Sequence, residues 1–165
     1  MIFDTDKFCF RIAEQADIPM VLMLYRRQVG RFGSTWNEHY PDCETARHDL
    51  DNGLLYVLLY DEMIIGAISV GITGEVAGMP VLLSKSHPCE IARICVSPQY
   101  SGYGLGKMLI QYAERLCATK AFDYIRLLVA KCNLPAIGMY TSCGFRCVGE
   151  AFEYGIDFYQ YVKEL

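Results

Sequence analysis

The chain has 165 residues, of which 53% are hydrophobic, and a formal net charge of −4 from 15 basic and 19 acidic side chains. This length and composition exclude a disordered chain and predict one folded domain over residues 1–165. The acidic balance lacks the cationic field that nonspecific binding to a phosphate backbone requires, so nucleic acid is not an expected partner.

The first residues predict a cytoplasmic protein. Asp4 and Asp6 stand where a secretory signal peptide has a basic start and an apolar centre. The apolar, charge-free stretch over 63–74 is too short to span a bilayer, so no membrane association is expected.

The cysteines and histidines point to neither disulfides nor a metal. Eight cysteines occur, but a disulfide framework belongs to a secreted context, and we expect mostly buried thiols. No Cys-x-x-Cys pair is present and the three histidines are not at ligand spacing, so no metal site is expected.

In the first half of the chain, alternating apolar residues predict strands and apolar stripes predict helices. Asp61-Glu62 separates two β-rich segments and predicts an antiparallel hairpin. The predicted elements are a strand over 8–13, helices over 18–29 and 42–52, and strands over 54–60 and 63–71.

A connection over 72–88, rich in glycine and proline, follows, and we expect it to contact the substrate because long loops are often functional. Residues 90–130 predict a strand, a helix and a second strand parallel to the first. The predicted elements are strands over 90–96 and 124–130, helices over 105–116 and 134–143, and strands over 145–148 and 157–162.

Three alternate glycines lie between the strand over 90–96 and the helix that follows, in the segment QYSGYGLGK at 99–107. Exposed amides at a helix N-terminus favour an anion, although glycines also serve a tight turn with positive φ. A Walker loop would require Gly at Ser101 and Ser or Thr at Met108, and a dinucleotide fingerprint would require Gly at Lys107. An NTPase and a Rossmann enzyme are therefore disfavoured.

The segment ICVSPQYSGYGLG at 94–106 resembles the acetyl-CoA signature of the GNAT superfamily of N-acetyltransferases. Asn133, Ala136, Tyr140 and Gly144-Phe145 resemble the next motif of that family. The resemblance is sharp over 90–148 and topological elsewhere. It implies an α/β (α+β) fold, with a mixed, mostly antiparallel sheet of about seven strands, a central splayed parallel pair and about four flanking helices.

The resemblance also implies the cofactor contacts. The pantetheine arm would enter between the splayed strands, with a backbone N–H near Val96 polarising the thioester carbonyl. Ser101 departs from the Arg or Gln usual in the family, so we expect weaker affinity that depends on backbone amides and Lys107. The implied cofactor-binding residues are Ile94, Cys95, Val96, Ser101, Gly102, Tyr103, Gly104, Leu105, Gly106, Lys107, Asn133 and Tyr140.

Two residues are candidates for the chemistry. Glu90 begins the motif strand, and strict alternation places it on the face of Ala92, Ile94 and Val96, where the family often keeps a base. A solvated strand-end carboxylate is the alternative for Glu90. Tyr140 matches the family's tyrosine near the departing sulfur, where we expect it to stabilise the thiolate by a hydrogen bond; a packing tyrosine is the alternative.

The implied function is an acetyl-CoA-dependent N-acetyltransferase in which a primary amine attacks directly in a ternary complex. A covalent acetyl-cysteine on Cys95 or Cys132 ranks low because neither has a histidine nearby in sequence. The alternative function is a non-catalytic acyl-CoA-binding sensor or interaction module. The acceptor is a small-molecule or peptide amine, with Trp36, Tyr40 and the 72–88 connection as candidate walls, and a homodimer stays open.

Overall fold

The computed structural model describes residues 3–76, 79 and 87–165. Within these residues the chain forms a seven-stranded mixed sheet in the order β1-β2-β3-β4-β5-β7-β6. The strands are β1 Phe8–Ile12, β2 Leu55–Tyr60, β3 Met63–Gly71, β4 Pro88–Val96, β5 Tyr124–Ala130, β6 Arg146–Glu153 and β7 Ile156–Glu164. The helices are α1 Ile18–Arg26, α2 Cys43–Asp51, α3 Leu105–Thr119 and α4 Leu134–Ser142.

This architecture confirms the predicted fold class. The pair β4–β5 is parallel, and the other neighbouring strands of the sheet are antiparallel. Helices α3 and α4 pack on one face around Leu109 and Tyr140, and α1 and α2 pack on the other face around Tyr25 and Ala46. None of the helices in the described part of the chain is long and apolar enough to cross a membrane.

Several predicted boundaries are wrong by a few residues. Helix α1 ends at Arg26 and not at residue 29, because the Gln28 side chain donates to the carbonyl of Leu24 and the chain turns over 27–30. Strands β6 and β7 are longer than predicted because a tight turn at Tyr154-Gly155, both with positive φ, lets them pair up to the turn.

The expectation of mostly buried thiols is also wrong. All eight cysteines are free, but only Cys89, Cys95 and Cys117 are buried.

Strands β4 and β5 pair only at their start. The parallel ladder joins Pro88–Glu90 to Tyr124–Arg126 and goes no further. Past this point β4 carries a bulge, since Ala92 opposes Ser69 and Cys95 opposes Ala67, which leaves two β4 residues opposite Ile68. Arg93, in the bulge, has a φ of 50°. A bulge bends its strand, so the second half of β4 leaves β5 and a cleft opens between them.

Candidate functional site

The cleft between β4 and β5 contains a cavity of about 510 Å³. Its walls come from both strands, the glycine loop, α4 and the segment that follows α1. All the predicted cofactor-binding residues line it except Tyr103. The Tyr103 ring instead packs edge-on against Phe3, with 5.4 Å between the ring centroids.

One end of the cavity is the uncapped N-terminus of α3. Its N-cap, Gly104, has a φ of 80° and supplies no side-chain acceptor. The first bond closing the helix runs from the Met108 amide to the Gly104 carbonyl at 3.1 Å, so the amides of residues 105–107 have no acceptor within the helix. These amides and the positive end of the helix dipole make this end of the cavity chemically suited to an anion.

The three glycines of the loop have different physical roles. Gly102 and Gly104 both have positive φ, and a Cβ on either would meet nothing within 4 Å. A Cβ on Gly106 would stand 2.6 Å from the Met139 sulfur. Gly102 and Gly104 therefore keep the loop backbone open to a ligand, whereas Gly106 lets α3 approach α4.

An arginine from a distant segment reaches the glycine loop. Nη2 of Arg31 donates to Oγ of Ser101 at 3.0 Å, and Arg31 lines the cavity together with Lys107. A long cationic donor therefore lies beside the position where the sequence lacks the family's Arg or Gln. Nothing in the sequence indicated Arg31, because 70 residues separate it from the loop.

The β4 backbone presents a donor to the cleft. The Ser97 amide bonds the Ile65 carbonyl at 2.7 Å, and because bonding pairs alternate in an antiparallel ladder, the amide and carbonyl of Val96 point toward β5. Gln28 Nε2 donates to the Val96 carbonyl at 3.1 Å. The N–H of Val96 is left directed into the cavity.

Tyr140 reaches the cavity from α4. Its side chain is only 5% exposed, and its ring packs against Phe145. Its hydroxyl makes no hydrogen bond to any described residue. Burial raises the pKa of Tyr140 well above its ordinary value, so the hydroxyl stays protonated and can act as a donor.

The buried cysteine of the cleft does not carry a thiolate. Burial raises the pKa of Cys95 to about 12. Because the thiolate is the nucleophilic form, this environment disfavours a covalent acetyl-cysteine at that position.

Glu90 lies apart from both cavities and is almost fully buried, at 1% exposed. Its Oε2 accepts hydrogen bonds of 2.8 Å each from the Thr73 amide, the Thr73 hydroxyl and the Gly74 amide. Its Oε1 accepts from Nη2 of Arg126 at 2.8 Å. A basic role for Glu90 stays a prediction, and the geometry shows a carboxylate that ties the start of the 72–88 connection to β5.

The predicted face of Glu90 is wrong. Ile94 and Val96 pack against the cluster under α3, whereas Glu90 pairs with Arg126 on the opposite face of the sheet. The bulge at Arg93 is the cause, because one extra residue inverts the alternation that the prediction assumed.

A second cavity, of about 360 Å³, adjoins the first. The two cavities share walls formed by Ile91, Ala92, Arg93, Leu128, Trp36, Thr35 and Phe158. Trp36 and Tyr40, the candidate walls of an acceptor pocket, both line it. Glu75, from the 72–88 connection, also lines this cavity. Residues 77, 78 and 80–86 of that connection lie outside the described residues.

A charged network lies in and directly behind the wall of the second cavity. Asp49, fully buried, accepts from Nε and Nη2 of Arg93 at 2.6 and 2.7 Å. Nη1 of Arg93 donates to Oε1 of Glu75, which also accepts from the Tyr40 hydroxyl at 3.0 Å. Burial raises the pKa of Tyr40 to about 12, so this hydroxyl remains a donor. Sequence analysis missed Arg93 and Glu75, because their partners are far away in the chain.

A family model described as the Acetyltransferase (GNAT) family matches residues 21–145. The chain belongs to the GNAT acetyltransferase family. The matched residues include the walls of both cavities, apart from the wall residues that β7 and the turn before it contribute.

Individual relatives agree with the family assignment. A protein of Bacillus subtilis (strain 168), provisionally named ribosomal protein bS18-alanine N-acetyltransferase, is 25% identical over 135 residues, which cover 81% of this chain and 80% of that protein. A GNAT acetyltransferase structure from Streptococcus agalactiae has a TM-score of 0.80 at 21% identity, covering 96% of this chain and 95% of that one. The Salmonella typhimurium protein yncA, solved with its cofactor acetyl-CoA, has a TM-score of 0.72 at 18% identity, covering 96% and 94%.

Proposed function

We propose that this GNAT protein is an N-acetyltransferase that transfers an acetyl group from acetyl-CoA to a primary amine by direct attack in a ternary complex. One observation carries the proposal. A single cavity joins the uncapped N-terminus of α3 to the β4 backbone beside the splay, and Tyr140 reaches the same cavity.

The residues of the first cavity fit acetyl-CoA. The loop at Gly102 and Gly104 leaves room for a diphosphate at the amides of residues 105–107, and Arg31 and Lys107 add positive charge there. An extended arm can pair with the free edge of β4 as an added strand would. Bound acetyl-CoA supplies an acetyl group activated as a thioester.

The chain's own groups then act on the thioester and on the amine. The N–H of Val96 donates to the acetyl oxygen as negative charge develops there, a type of donor worth roughly 3–4 kcal/mol. The amine nitrogen bonds to the acetyl carbon as the carbon–sulfur bond breaks, and the nitrogen then releases its second proton, which protonates the departing thiolate to give the free thiol of CoA. The hydroxyl of Tyr140 donates a hydrogen bond to the departing thiolate.

The acceptor must lose its proton before it attacks. For an alkylammonium with a pKa of about 10.4, forming the neutral amine at pH 7 costs roughly 4–5 kcal/mol. Because the geometry leaves Glu90 without access to either cavity, we propose that solvent in the second cavity accepts this proton. The name of the Bacillus subtilis relative supports a peptide α-amine as the acceptor.

The experiment that tests this function measures free thiol released from acetyl-CoA across a panel of primary amines and N-terminally free peptides. We expect thiol release that depends on the amine, with one acetylated amine formed for each thiol. A parallel measurement records the thermal unfolding temperature of the protein with each ligand. If acetyl-CoA raises this temperature but no amine causes thiol release, the proposal is wrong and an acyl-CoA-binding module is supported. If only NAD or ATP raises it, both functions are wrong.

A further inference from the structure

We propose that the second cavity is a binding site for a primary ammonium ion on an apolar stem, in which Glu75 receives the ammonium. The inference rests on the proposed function, because it assigns the acceptor to the cavity that adjoins the splay. The acceptor's chemical class follows from the charge, the hydrogen bonding and the walls of this cavity.

Among the described residues, the charged side chains in and directly behind the wall leave one negative charge in excess. Arg93 uses Nε and Nη2 on the buried carboxylate of Asp49, so Asp49 already neutralises this guanidinium. Glu75 adds a second carboxylate to the same arginine. Asp49, Arg93 and Glu75 together carry −1, which favours a cationic ligand over a neutral or anionic one.

Glu75 is held in place but is not enclosed. Its Oε1 accepts from Nη1 of Arg93 and from the Tyr40 hydroxyl, whereas Oε2 accepts from no described residue. The side chain is 30% exposed, against 2% for Arg93. Glu90 fixes the amides of Thr73 and Gly74, which directly precede Glu75. A carboxylate oriented in this way can bind an ammonium without first losing much side-chain entropy.

The remaining walls are aromatic and apolar. An ammonium is attracted to aromatic faces, and apolar walls select the group that carries it. The residues concerned are Trp36, Tyr40, Ile91, Leu128, Tyr154, Ile156 and Phe158. A small alkylamine and the α-amine of a peptide with an apolar first residue both have this chemistry.

The position of the cavity suits acetyl transfer. Ile91, Ala92 and Leu128 line both cavities at the point where β4 and β5 part. An amine bound in the second cavity therefore faces the end of the first cavity that lies beside the splay. The ammonium is recognised at Glu75 and enters the reaction after it loses its proton to solvent.

The chain's single tryptophan, Trp36, lies in the wall of this cavity and reports its occupancy without any turnover. Its fluorescence is titrated, with CoA present, using phenethylammonium and the neutral isostere 2-phenylethanol. A second pair of probes is the peptide Ala-Leu-Ala amide and its N-acetylated form. The proteins are wild type, Glu75→Gln and a matched control, Glu153→Gln, whose carboxylate is exposed and lines neither cavity.

We expect wild type to bind the ammonium probe at least tenfold more tightly than its isostere. Glu75→Gln should lose that preference while binding the neutral probe unchanged, and Glu153→Gln should match wild type. The peptide probes distinguish a peptide acceptor from a small-molecule acceptor. If the unacetylated peptide binds more tightly than phenethylammonium, the site takes peptide α-amines. If phenethylammonium binds more tightly, the site takes small amines.

Equal affinity for charged and neutral probes, no response to any ammonium, or an unchanged preference in Glu75→Gln would overturn the inference. Circular dichroism and thermal unfolding of Glu75→Gln show that the variant is folded. A Tyr40→Phe variant, which removes one hydrogen bond to Glu75 and keeps the charge, should weaken the preference only in part. If Glu75→Gln still releases thiol in response to the amine and its KM for the amine is unchanged, this inference is wrong and the proposed function stands. If the protein binds ammonium but releases no thiol with any amine, the proposed function is wrong.

Discussion

Burial determines what the Tyr140 hydroxyl can do. A tyrosine whose pKa is raised by burial does not ionise at neutral pH, so it can donate a hydrogen bond but is a poor source of a full proton. A departing thiolate is an anion, and a hydrogen bond to an anion is stronger than one between neutral groups. The environment of Tyr140 therefore matches the stabilisation of a leaving group.

We predict that Tyr140→Phe lowers kcat by about 10- to 100-fold, the equivalent of about 1.5–3 kcal/mol for a hydrogen bond to a charged group. The Kd for CoA should stay within about twofold, because the ring keeps its packing against Phe145 and Tyr161. Steady-state kinetics and calorimetric titration with CoA measure the two quantities. An unchanged kcat would remove Tyr140 from the reaction.

Arg31 lies beside the glycine loop, where its guanidinium can contact a bound diphosphate. Replacing it with Met should weaken CoA binding by about tenfold, since a charge-assisted hydrogen bond to phosphate at a partly exposed site is lost. The matched control is Arg27→Met, an exposed arginine in the same turn that does not line the cavity.

The dependence on phosphate separates a direct contact from a general charge effect. S-acetyl-pantetheine has no diphosphate, so it should bind Arg31→Met and wild type equally. An equal loss for both ligands, or an equal loss in Arg27→Met, would show that Arg31 does not contact the phosphates.

Individual side chains mark where sequence reasoning succeeded and where it stopped. The positions of the loop and of Tyr140 on the cavity wall were predictable because their spacing is local and the motif is contiguous, and their roles stay predictions. Arg31, Arg93 and Glu75 were not, because each acts through partners distant in sequence, such as Asp49, 44 residues from Arg93. Glu90 was placed on the wrong face, since a bulge leaves no periodic signal in the sequence.

Among the elements, β4 positions the site. Its first residues pair with β5, its bulge breaks the pairing, and its remaining residues line the cleft. Glu90 stands at the last paired position and binds both Arg126 of β5 and the connection that follows β3. The ion pair therefore holds the closed end of the splay together.

We predict that Glu90→Gln lowers the free energy of unfolding by about 3–5 kcal/mol, because it leaves the buried Arg126 without its counter-ion. The double variant Glu90→Gln with Arg126→Met should be less destabilised than the sum of the single variants. Urea unfolding monitored by circular dichroism measures all three.

Glu153→Gln, a change at an exposed carboxylate, should alter stability by no more than about 0.5 kcal/mol. Full stability in Glu90→Gln, together with loss of the acid limb of the pH–rate profile, would restore Glu90 as the base.

At the scale of the whole molecule, the order of elements and the family resemblance together were sufficient to predict the sheet. Alternation, caps and the strand–helix–strand unit over 90–130 each give a local signal, and the family motif fixed how they assemble. For the second cavity the sequence named only Trp36, Tyr40 and the 72–88 connection as candidate walls, because the cavity forms between the segment after α1, β4 and the turn joining β6 to β7. Its walls meet only after the sheet has formed.

The central claim is that acetyl-CoA lies in the cleft, with its diphosphate at the start of α3 and its arm along β4. Amide hydrogen exchange with and without saturating acetyl-CoA tests this claim directly, because it locates the amides that the ligand covers. We predict slower exchange over 92–96 and 102–107, with little change in β1 and β2. Unchanged exchange in both segments, with protection elsewhere in the chain, would contradict the account.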